Sequence, residues 1–446
     1  MEIKRKNSTF TFVDLFAGIG GFRIALERQG GTCKGFSEID TNAIATYKKN
    51  FIADSNQDEV ELGNIENIDT LPFEVDLIVG GVPCQSWSVA GKMKGFDDPR
   101  GKLWNDTLRL VRNNKPKAFI FENVKGLADP RNKESLDFLI SEFEKLGYKV
   151  KKKVLNSYDF GVPQNRERIY IVGTRNGLLP KKNQFEFPLP TSAGHKLNDL
   201  IDGLEEVDAT SPKKKLAISA IHTDGKIPYG RNRFQKLDEL NDFFILSDTR
   251  NGHTTIHSWD IIETSEREKK ICLFILKNRR KKIFGGSDGN PIPFEVLVEL
   301  IPDLKREELD KLVKKNILRA TKDEKYEFVN SKNSSGINGV YRVYLPCSNV
   351  FSTLTATGTR DFVALRNVTG NDADDFKKNF ISEIFSKKKF RPITSVEAAK
   401  LQGFPENFIV HPVERLAQKQ FGNAVSVPVI EALIKALKLT DIFNSP

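Results

Sequence analysis

The chain has 446 residues, of which 39% are hydrophobic and 29% charged, with 69 Lys and Arg against 59 Asp and Glu for a formal net charge of +10. That length allows two or three domains with sizeable cores, and the composition excludes a disordered or low-complexity chain. The basic balance suits a nucleic-acid partner, although a merely lysine-rich soluble protein would show the same excess. Four cysteines stand at 33, 84, 272 and 347, with no C-x-x-C spacing and no Cys/His cluster. This argues against structural zinc and against a disulfide framework. MEIKRKNSTF at the N-terminus is charged, and there is no apolar run of about 18 residues, so neither a signal peptide nor a membrane span is expected. The expected compartment is the cytoplasm, and no metal is expected.

Up to about residue 180, short apolar strands alternate with amphipathic helices. TFVDLFA (11–17), CKGFSEID (33–40), VDLIV (75–79), KAFIFENV (117–124) and RIYIVG (168–173) read as strands. GFRIALERQG, NAIATYKKNF and ESLDFLISEFEKLG (134–147) read as helices, the last stopped by glycine. Alternation of this kind predicts an α/β fold, a mostly parallel sheet with helices on both faces. Ligands in such sheets bind beyond the carboxyl ends of the strands, which puts LFAGIGG, SEID, GGVPC and FEN on one rim.

From about 180 to 390 the alternation is lost. SEREKKICLFILKNRRKK (265–282), PFEVLVELI (293–301) and LKREELDKLVKKN (304–316) read as helices, and ILRATKDEKYEFVN (317–330) as a hairpin turning at Lys322–Lys325. Three helices and a hairpin predict a winged-helix insertion over 258–330, with an ordinary helical insertion as the alternative. Beyond 390, RPITSVEAAKLQGFP reads as a turn and a helix stopped by Gly403 and Pro405, and QFGNAVSVPVIEALIKALKL as a loop and an apolar helix.

Several stretches carry chemistry. In DLFAGIGG (14–21), Gly18, Gly20 and Gly21 let the backbone approach a ligand, and Glu38 follows 20 residues after Gly18, where an acid can reach ribose hydroxyls. G-x-G-G departs from the dinucleotide fingerprint, so a tight structural turn is the competing account. GGVPCQSWS places Cys84 just past a strand; read alone, such a cysteine is more often an inert core thiol than a nucleophile. GKMKGFDDPRGK (91–102) is a glycine-rich basic segment suited to closing over phosphate. In FENV, Glu122 ends a buried strand, where desolvation raises a carboxyl pKa and suits proton donation; Asn123 can orient a neighbouring loop. Arg166 and Arg168, two apart at a strand start, point to one face and suit phosphates and base carbonyls. His253 and His257 have H-x-x-x-H spacing, but the residues between them favour a strand, which would separate them.

FVDLFAGIGGF, SEID, GGVPCQSWS, FENVKG, QNRERIYIVG, RPITSVEAAKLQGFP and QFGNAVSVPV together, in that order, resemble the DNA (cytosine-5-)-methyltransferases, especially the bacterial type II restriction–modification kind. STLTA (352–356) looks like the family's threonine–leucine pair. The resemblance covers most of 11–175 and 390–430. It implies a Rossmann-like S-adenosylmethionine-dependent methyltransferase sheet over 1–183 and 418–446, and a smaller mixed target-recognition domain over 184–417. S-adenosyl-L-methionine would be the cofactor, held by Phe16, Gly18, Ile19, Gly21, Glu38, Ile39, Asn64, Ile65, Pro83, Leu103, Asn423 and Ala424. Cys84 would be the nucleophile, Glu122 the acid at cytosine N3 and Arg168 a contact to O2. Arg166 would support the catalytic loop and a phosphate.

The resemblance also implies double-stranded DNA as substrate, met by Lys92, Lys94, Arg100 and Thr353. Lys305, Arg306, Lys311, Lys314 and Lys315 would meet DNA if the insertion does. A cognate restriction endonuclease and a monomeric state are further expectations. Two positions depart from the family's usual pattern: Asn64 stands where aspartate is common, and Ile39 where an aromatic is common. The competing readings are an RNA cytosine-5 methyltransferase and a catalytically silent DNA-binding scaffold. The intact Cys84, Glu122 and Arg168 set argues against the second.

Overall fold

The computed structural model describes residues 10–52, 59–83, 103–180, 183–191, 197–204, 243–246, 255–287, 289–329, 337–358 and 361–444. Cys84, Lys92, Lys94, Arg100 and His253 lie outside the described residues. Two compact units divide the chain: Met1–His195 with Ser352–Gly358 and Thr394–Pro446, and Lys196–Phe351 with Thr359–Ile393. The first unit therefore takes in 184–195, 352–358 and 394–417, which the sequence reading places in the target-recognition domain.

The first unit is built on a seven-stranded sheet in the order β3-β2-β1-β4-β5-β7-β6. Its strands are β1 (Phe10–Leu15), β2 (Gly31–Ser37), β3 (Val60–Glu61), β4 (Leu77–Gly81), β5 (Ala118–Val124), β6 (Tyr148–Asn156) and β7 (Glu167–Arg175). β1 pairs in parallel with both β2 and β4, so the chain reverses direction across the sheet between them. That reversal opens a crevice at the carboxyl ends of β1 and β4. β7 runs antiparallel to β5, and β6 antiparallel to β7, so the sheet is mixed.

Helices α1 (Gly21–Arg28), α2 (Thr41–Phe51), α3 (Leu103–Asn114) and α4 (Lys133–Lys145) cover the strands. β1 and β5 are buried along nearly their whole length because both sheet faces are covered. α4 buries Leu136, Leu139 and Phe143, the helical spacing seen in its sequence. Both glycines of GGVPC belong to β4, which runs Leu77–Gly81 and not 75–79. A Cβ at Gly80 would stand 2.8 Å from the Leu15 carbonyl oxygen, so glycine there allows β4 to lie close against β1. β6, YKVKKKVLN, was not anticipated. It is an edge strand whose lysines hide its period-2 pattern and discourage pairing with another chain.

The second unit has two cores. One lies on a four-stranded sheet, order β14-β13-β12-β8. β8 (Phe243–Ile245) precedes the other core in sequence. That other core is formed by α5 (Ser258–Ile261), α6 (Glu266–Asn278), β9 (Ile292–Pro293), α7 (Phe294–Leu300), α8 (Arg306–Lys314), β10 (Leu318–Ala320) and β11 (Lys325–Phe328). Ile271, Ile275, Leu297, Leu309, Leu312 and Phe328 lie at its centre. The three helices and the β10–β11 hairpin stand where the sequence put them; β9, which pairs antiparallel with β11, is additional. α6 stops at Asn278, four residues short of the expected end. His257 is buried and stacks on Trp259 at 4.1 Å. Burial holds its pKa down at about 3, so it is a neutral core residue. β12 (Arg342–Tyr344), β13 (Asp361–Ala364), α9 (Ala373–Phe380) and β14 (Phe390–Arg391) complete the first core, with Phe380 stacked 3.9 Å from Phe244.

The chain then returns to the first unit as α10 (Ser395–Gln402), α11 (Glu414–Asn423) and α12 (Val427–Lys438). QFGN was read as loop, yet it is the last turn of α11, and the loop is only 424–426. α12 buries Val427, Ile430, Leu433, Ile434 and Leu437, and beyond it Phe443 stacks on Phe10 at 4.6 Å.

Beneath α1, Arg23 is 1% exposed. Its guanidinium bonds the Glu59 carboxylate at 2.7 Å, Glu27 at 2.9 Å and the Tyr47 hydroxyl at 3.1 Å. Breaking a buried pair by removing one partner leaves a buried charge without compensation. Glu59→Ala should therefore destabilise the first unit by about 3 kcal/mol, the lower end of the range because Glu27 stays. Urea unfolding of the two proteins measures this, and a difference under ~1 kcal/mol would show that Arg23 does not depend on Glu59.

Candidate active site

A cavity of about 360 Å³ opens at the crevice between β1 and β4. Its floor is the β1–α1 turn. Phe16 takes a left-handed backbone, φ 54°, which costs an ordinary residue of order 1 kcal/mol. Its ring lines the cavity while packing on the main core. Gly18, φ 56°, follows with open space where a Cβ would be. Glu38, just past β2, is clamped: one oxygen accepts from the Gly18 amide at 2.8 Å, the other from Ile39 at 2.7 Å and Asp40 at 2.9 Å. Asp40 in turn caps α2, accepting from the Asn42 and Ala43 amides. The glycine turn and the acid 20 residues later are therefore one hydrogen-bonded unit.

Ile39 is 70% exposed and presents apolar surface to the cavity. Asn64 already accepts from the Glu66 amide at 3.1 Å, which leaves its amide oxygen one further acceptor position. Ile65, Pro83, Leu103, Asn423 and Ala424 also line the space, as do Ile19 and Gly21. A Cβ at Gly21 would meet the Val425 methyl at 2.8 Å, so this glycine admits the 424–426 loop.

At the other side of the cavity, Glu122 and Arg168 stand together, Oε1 to Nε 3.0 Å. Glu122 is 7% exposed. Burial pushes its carboxyl pKa up, and the charges of Arg168 and Arg166 only partly offset that. Asn123 donates to the Val82 carbonyl at 3.1 Å, and Val82 donates to the Glu122 carbonyl at 3.2 Å. These bonds fix the backbone up to Pro83, the residue before Cys84.

Arg166 is 2% exposed. It donates to the carbonyls of Leu354 (3.0 Å), Gly422 (3.2 Å) and Ala424 (2.8 Å). A guanidinium buried in this way holds chain segments together at the cavity wall. Thr353 is likewise engaged, its hydroxyl donating to the Asn165 carbonyl. A Cβ at Gly422 would fall 2.3 Å from the Thr355 carbonyl carbon, so QFGN needs its glycine where 352–358 crosses it.

Sequence reasoning missed Lys419 and Gln420 on the cavity wall. Lys419 pairs with Asp40 at 3.0 Å, and Gln420 donates to the Asn42 carbonyl at 3.0 Å, joining α11 to α2. Reading 418–423 as helix rather than loop would have pointed at them. In the second unit, Arg306 pairs with Glu324 at 3.0 Å and covers the Phe294 ring, and Lys315 pairs with Glu268 at 2.8 Å. Lys305, Lys311 and Lys314 are exposed.

The strand order and the crevice site are those of a Rossmann-like nucleotide-binding fold. The family model for C-5 cytosine-specific DNA methylases matches residues 10–439. The chain is 48% identical over 438 residues to the type II methylase M.HgiEI of Herpetosiphon aurantiacus, covering 98% of each chain. It is 34% identical over 446 residues to the type II methyltransferase M.BanI of Aneurinibacillus aneurinilyticus, with 96% of this chain and 95% of that one covered. Among solved structures, a variant of Spodoptera frugiperda DNMT2 shares the fold, at TM-score 0.52 and 17% identity, over 96% of this chain and 99% of that one. The chain belongs to the C-5 cytosine-specific DNA methylase family and is a DNA (cytosine-5-)-methyltransferase. No described helix is long and apolar enough to cross a membrane.

The raised Glu122 pKa has a consequence for stability. The native carboxyl binds its proton more tightly than the unfolded one, so its contribution is present below the unfolded value and is lost as pH rises through the native value. Stability curves of wild type and Glu122→Gln should therefore diverge with pH, wild type losing more on the way up from about pH 4. Parallel curves would show that the Glu122 pKa is not raised.

Proposed function

We propose that the cavity binds S-adenosylmethionine and that the enzyme methylates C5 of a cytosine flipped out of a short duplex sequence, through covalent addition of Cys84 at C6. The observation that carries this reading is the placement of the Glu122–Arg168 pair and of the clamped Glu38 on one cavity, with Pro83 on its wall. The lining suits the cofactor. A carboxylate offers about four acceptor positions, and the Glu38 carboxylate uses three on amides, leaving one for a ribose hydroxyl. Phe16 and Ile39 give apolar surface for adenine, and Asn64 a remaining acceptor for its amino group. Gly18, Ile19, Gly21, Ile65, Pro83, Leu103, Asn423 and Ala424 shape the rest.

C5 of cytosine is a weak nucleophile. The Cys84 thiolate adds to C6, and Glu122 supplies the proton held at N3, so the ring becomes an enamine with electron density at C5. The cofactor supplies an electrophilic methyl group to that carbon. A base then takes the C5 proton, the C6–sulfur bond breaks, C5=C6 re-forms and the N3 proton returns to Glu122. Before the base arrives, Glu122 and Arg168 satisfy one another; the base exchanges that pair for N3 on the carboxyl and O2 on the guanidinium. The target atoms cannot be reached inside a duplex, so the base is extruded, and Lys92, Lys94 and Arg100 close on the phosphates behind it. The enzyme would act in the cytoplasm as a monomer, as the modification arm of a restriction–modification system with an endonuclease for the same site.

Cys84→Ala should abolish methyl transfer to duplex DNA while cofactor and DNA binding persist, and Glu122→Gln should slow it by about 10²–10⁴-fold. Wild type should form a denaturation-resistant adduct with duplex DNA containing 5-fluorocytosine, because fluorine cannot leave as a proton. Methylation by the alanine variant, or no adduct with the fluorinated duplex, would remove Cys84 from the mechanism.

A further inference from the structure

The body formed by α6, β9, α7, α8, β10 and β11 has the helix–strand–helix–helix–strand–strand order of a winged helix. In a helix-turn-helix the N-terminal part of the second helix of the pair, here α8, reads base edges. Here that part is acidic. Glu307 and Asp310 are exposed on α8, and they offset Lys311 and Lys314 on the same helix. Arg306 is turned to Glu324 and Phe294. The exposed surface of α8 thus has no net charge to offer a phosphate backbone.

The opposite holds where α6 ends. Between Glu268 and Asp288 the chain carries no carboxylate. Lys277, Arg280, Lys281 and Lys282 are all exposed there, beside Ile283, which is 80% exposed. Lys277, Lys281 and Lys282 have no carboxylate within ion-pair distance among the described residues. One or two cations at a helix C-terminus complement the helix dipole; four in six residues exceed that need.

The turn that displays them is built from inside. Asn290, 4% exposed, donates to the carbonyls of Arg279 (2.9 Å), Gly285 (3.2 Å) and Ser287 (2.8 Å), and accepts from the Ser287 amide (3.0 Å) and hydroxyl (2.7 Å). Arg279 is buried, its guanidinium 5.6 Å from the Phe328 ring centroid. Gly285 has φ 143°, and a Cβ there would stand 2.5 Å from the Asn290 amide oxygen. The cations therefore sit on a held scaffold and need little ordering on binding.

We infer that the insertion meets duplex DNA through this turn, with Lys277, Lys281 and Lys282 on the phosphate backbone, and not through helix α8. The inference rests on the proposed action on duplex DNA. The contact is sequence-independent: it adds affinity and holds the duplex, without reading bases.

The test is the salt dependence of binding to a duplex with the full-length protein. Each phosphate contact contributes about 0.9 to the slope of log K against log salt. The combined variant Lys277→Gln, Lys281→Gln, Lys282→Gln should lower the slope by roughly 2 to 3. The combined variant Lys305→Gln, Lys311→Gln, Lys314→Gln should leave it unchanged. The Gly285→Val protein keeps every charge but strains the turn, and should weaken binding without lowering stability of the first unit. An unchanged slope in the first variant, or a loss in the α8 variant instead, overturns the inference. Salt-insensitive or absent duplex binding by wild type would mean that the proposed action on duplex DNA has failed, a result distinct from failure of the turn.

Discussion

Three carbonyl oxygens converge on the Arg166 guanidinium, and the site depends on that convergence. The carbonyls belong to Leu354, Gly422 and Ala424, which are 188 to 258 residues away in sequence. A buried guanidinium must find acceptors or carry a large desolvation cost. It finds them only when β7, the 352–358 segment and the end of α11 are all in place. Those pieces then put Arg168, Asn423 and Ala424 on one cavity wall. Arg166 and Arg168 stand two residues apart and both line the cavity, yet the first is also bonded to three remote carbonyls while the second pairs with Glu122.

Division of labour of this kind explains what could and could not be read in advance. The β1–α1 turn, Glu38 and Glu122 were legible because they are local: a strand, its exit and a residue type that suits the exit. The cavity-lining set was legible residue by residue for the same reason, with help from the family resemblance. Arg166 was legible as a site residue but its partners were not, because they are remote and nothing in RER says which arginine is buried. Lys419 and Gln420 were missed because glycine and asparagine in QFGN suggested a loop, whereas packing of α11 on α2 and the 352–358 backbone keeps it helical. β6 was missed because an edge strand rich in lysine lacks the apolar alternation that announces a strand.

The second unit shows a limit of reading charge from sequence. KREELDKLVKK invites a DNA-facing helix, but exposure and pairing divide its cations. Arg306 and Lys315 are committed to Glu324 and Glu268, and the exposed lysines share their helix with exposed acids. The NRRKK stretch looked like the tail of a helix. Beyond Asn278 it is a separate turn, and its one inward arginine, Arg279, lies against Phe328 while Arg280, Lys281 and Lys282 are exposed. Both windows are rich in cations, but only the first interleaves them with acids.

The arrangement of the first unit also sets an order of events in its making. β1 emerges early in synthesis, but the helix that covers α1 and the ring that stacks on Phe10 come from residues beyond 426. The Arg166 acceptors at 422 and 424 come equally late. Between them lies a unit with two apolar cores of its own, able to collapse while the first is still incomplete. The entropy of closing so long a loop grows only slowly with its length, so the delay is tolerable in free energy. Its cost is time: contacts this distant in sequence form slowly. A nascent chain that has made its glycine turn and its Glu122 still lacks one wall of the cavity, so the cavity is complete only when the last helices arrive.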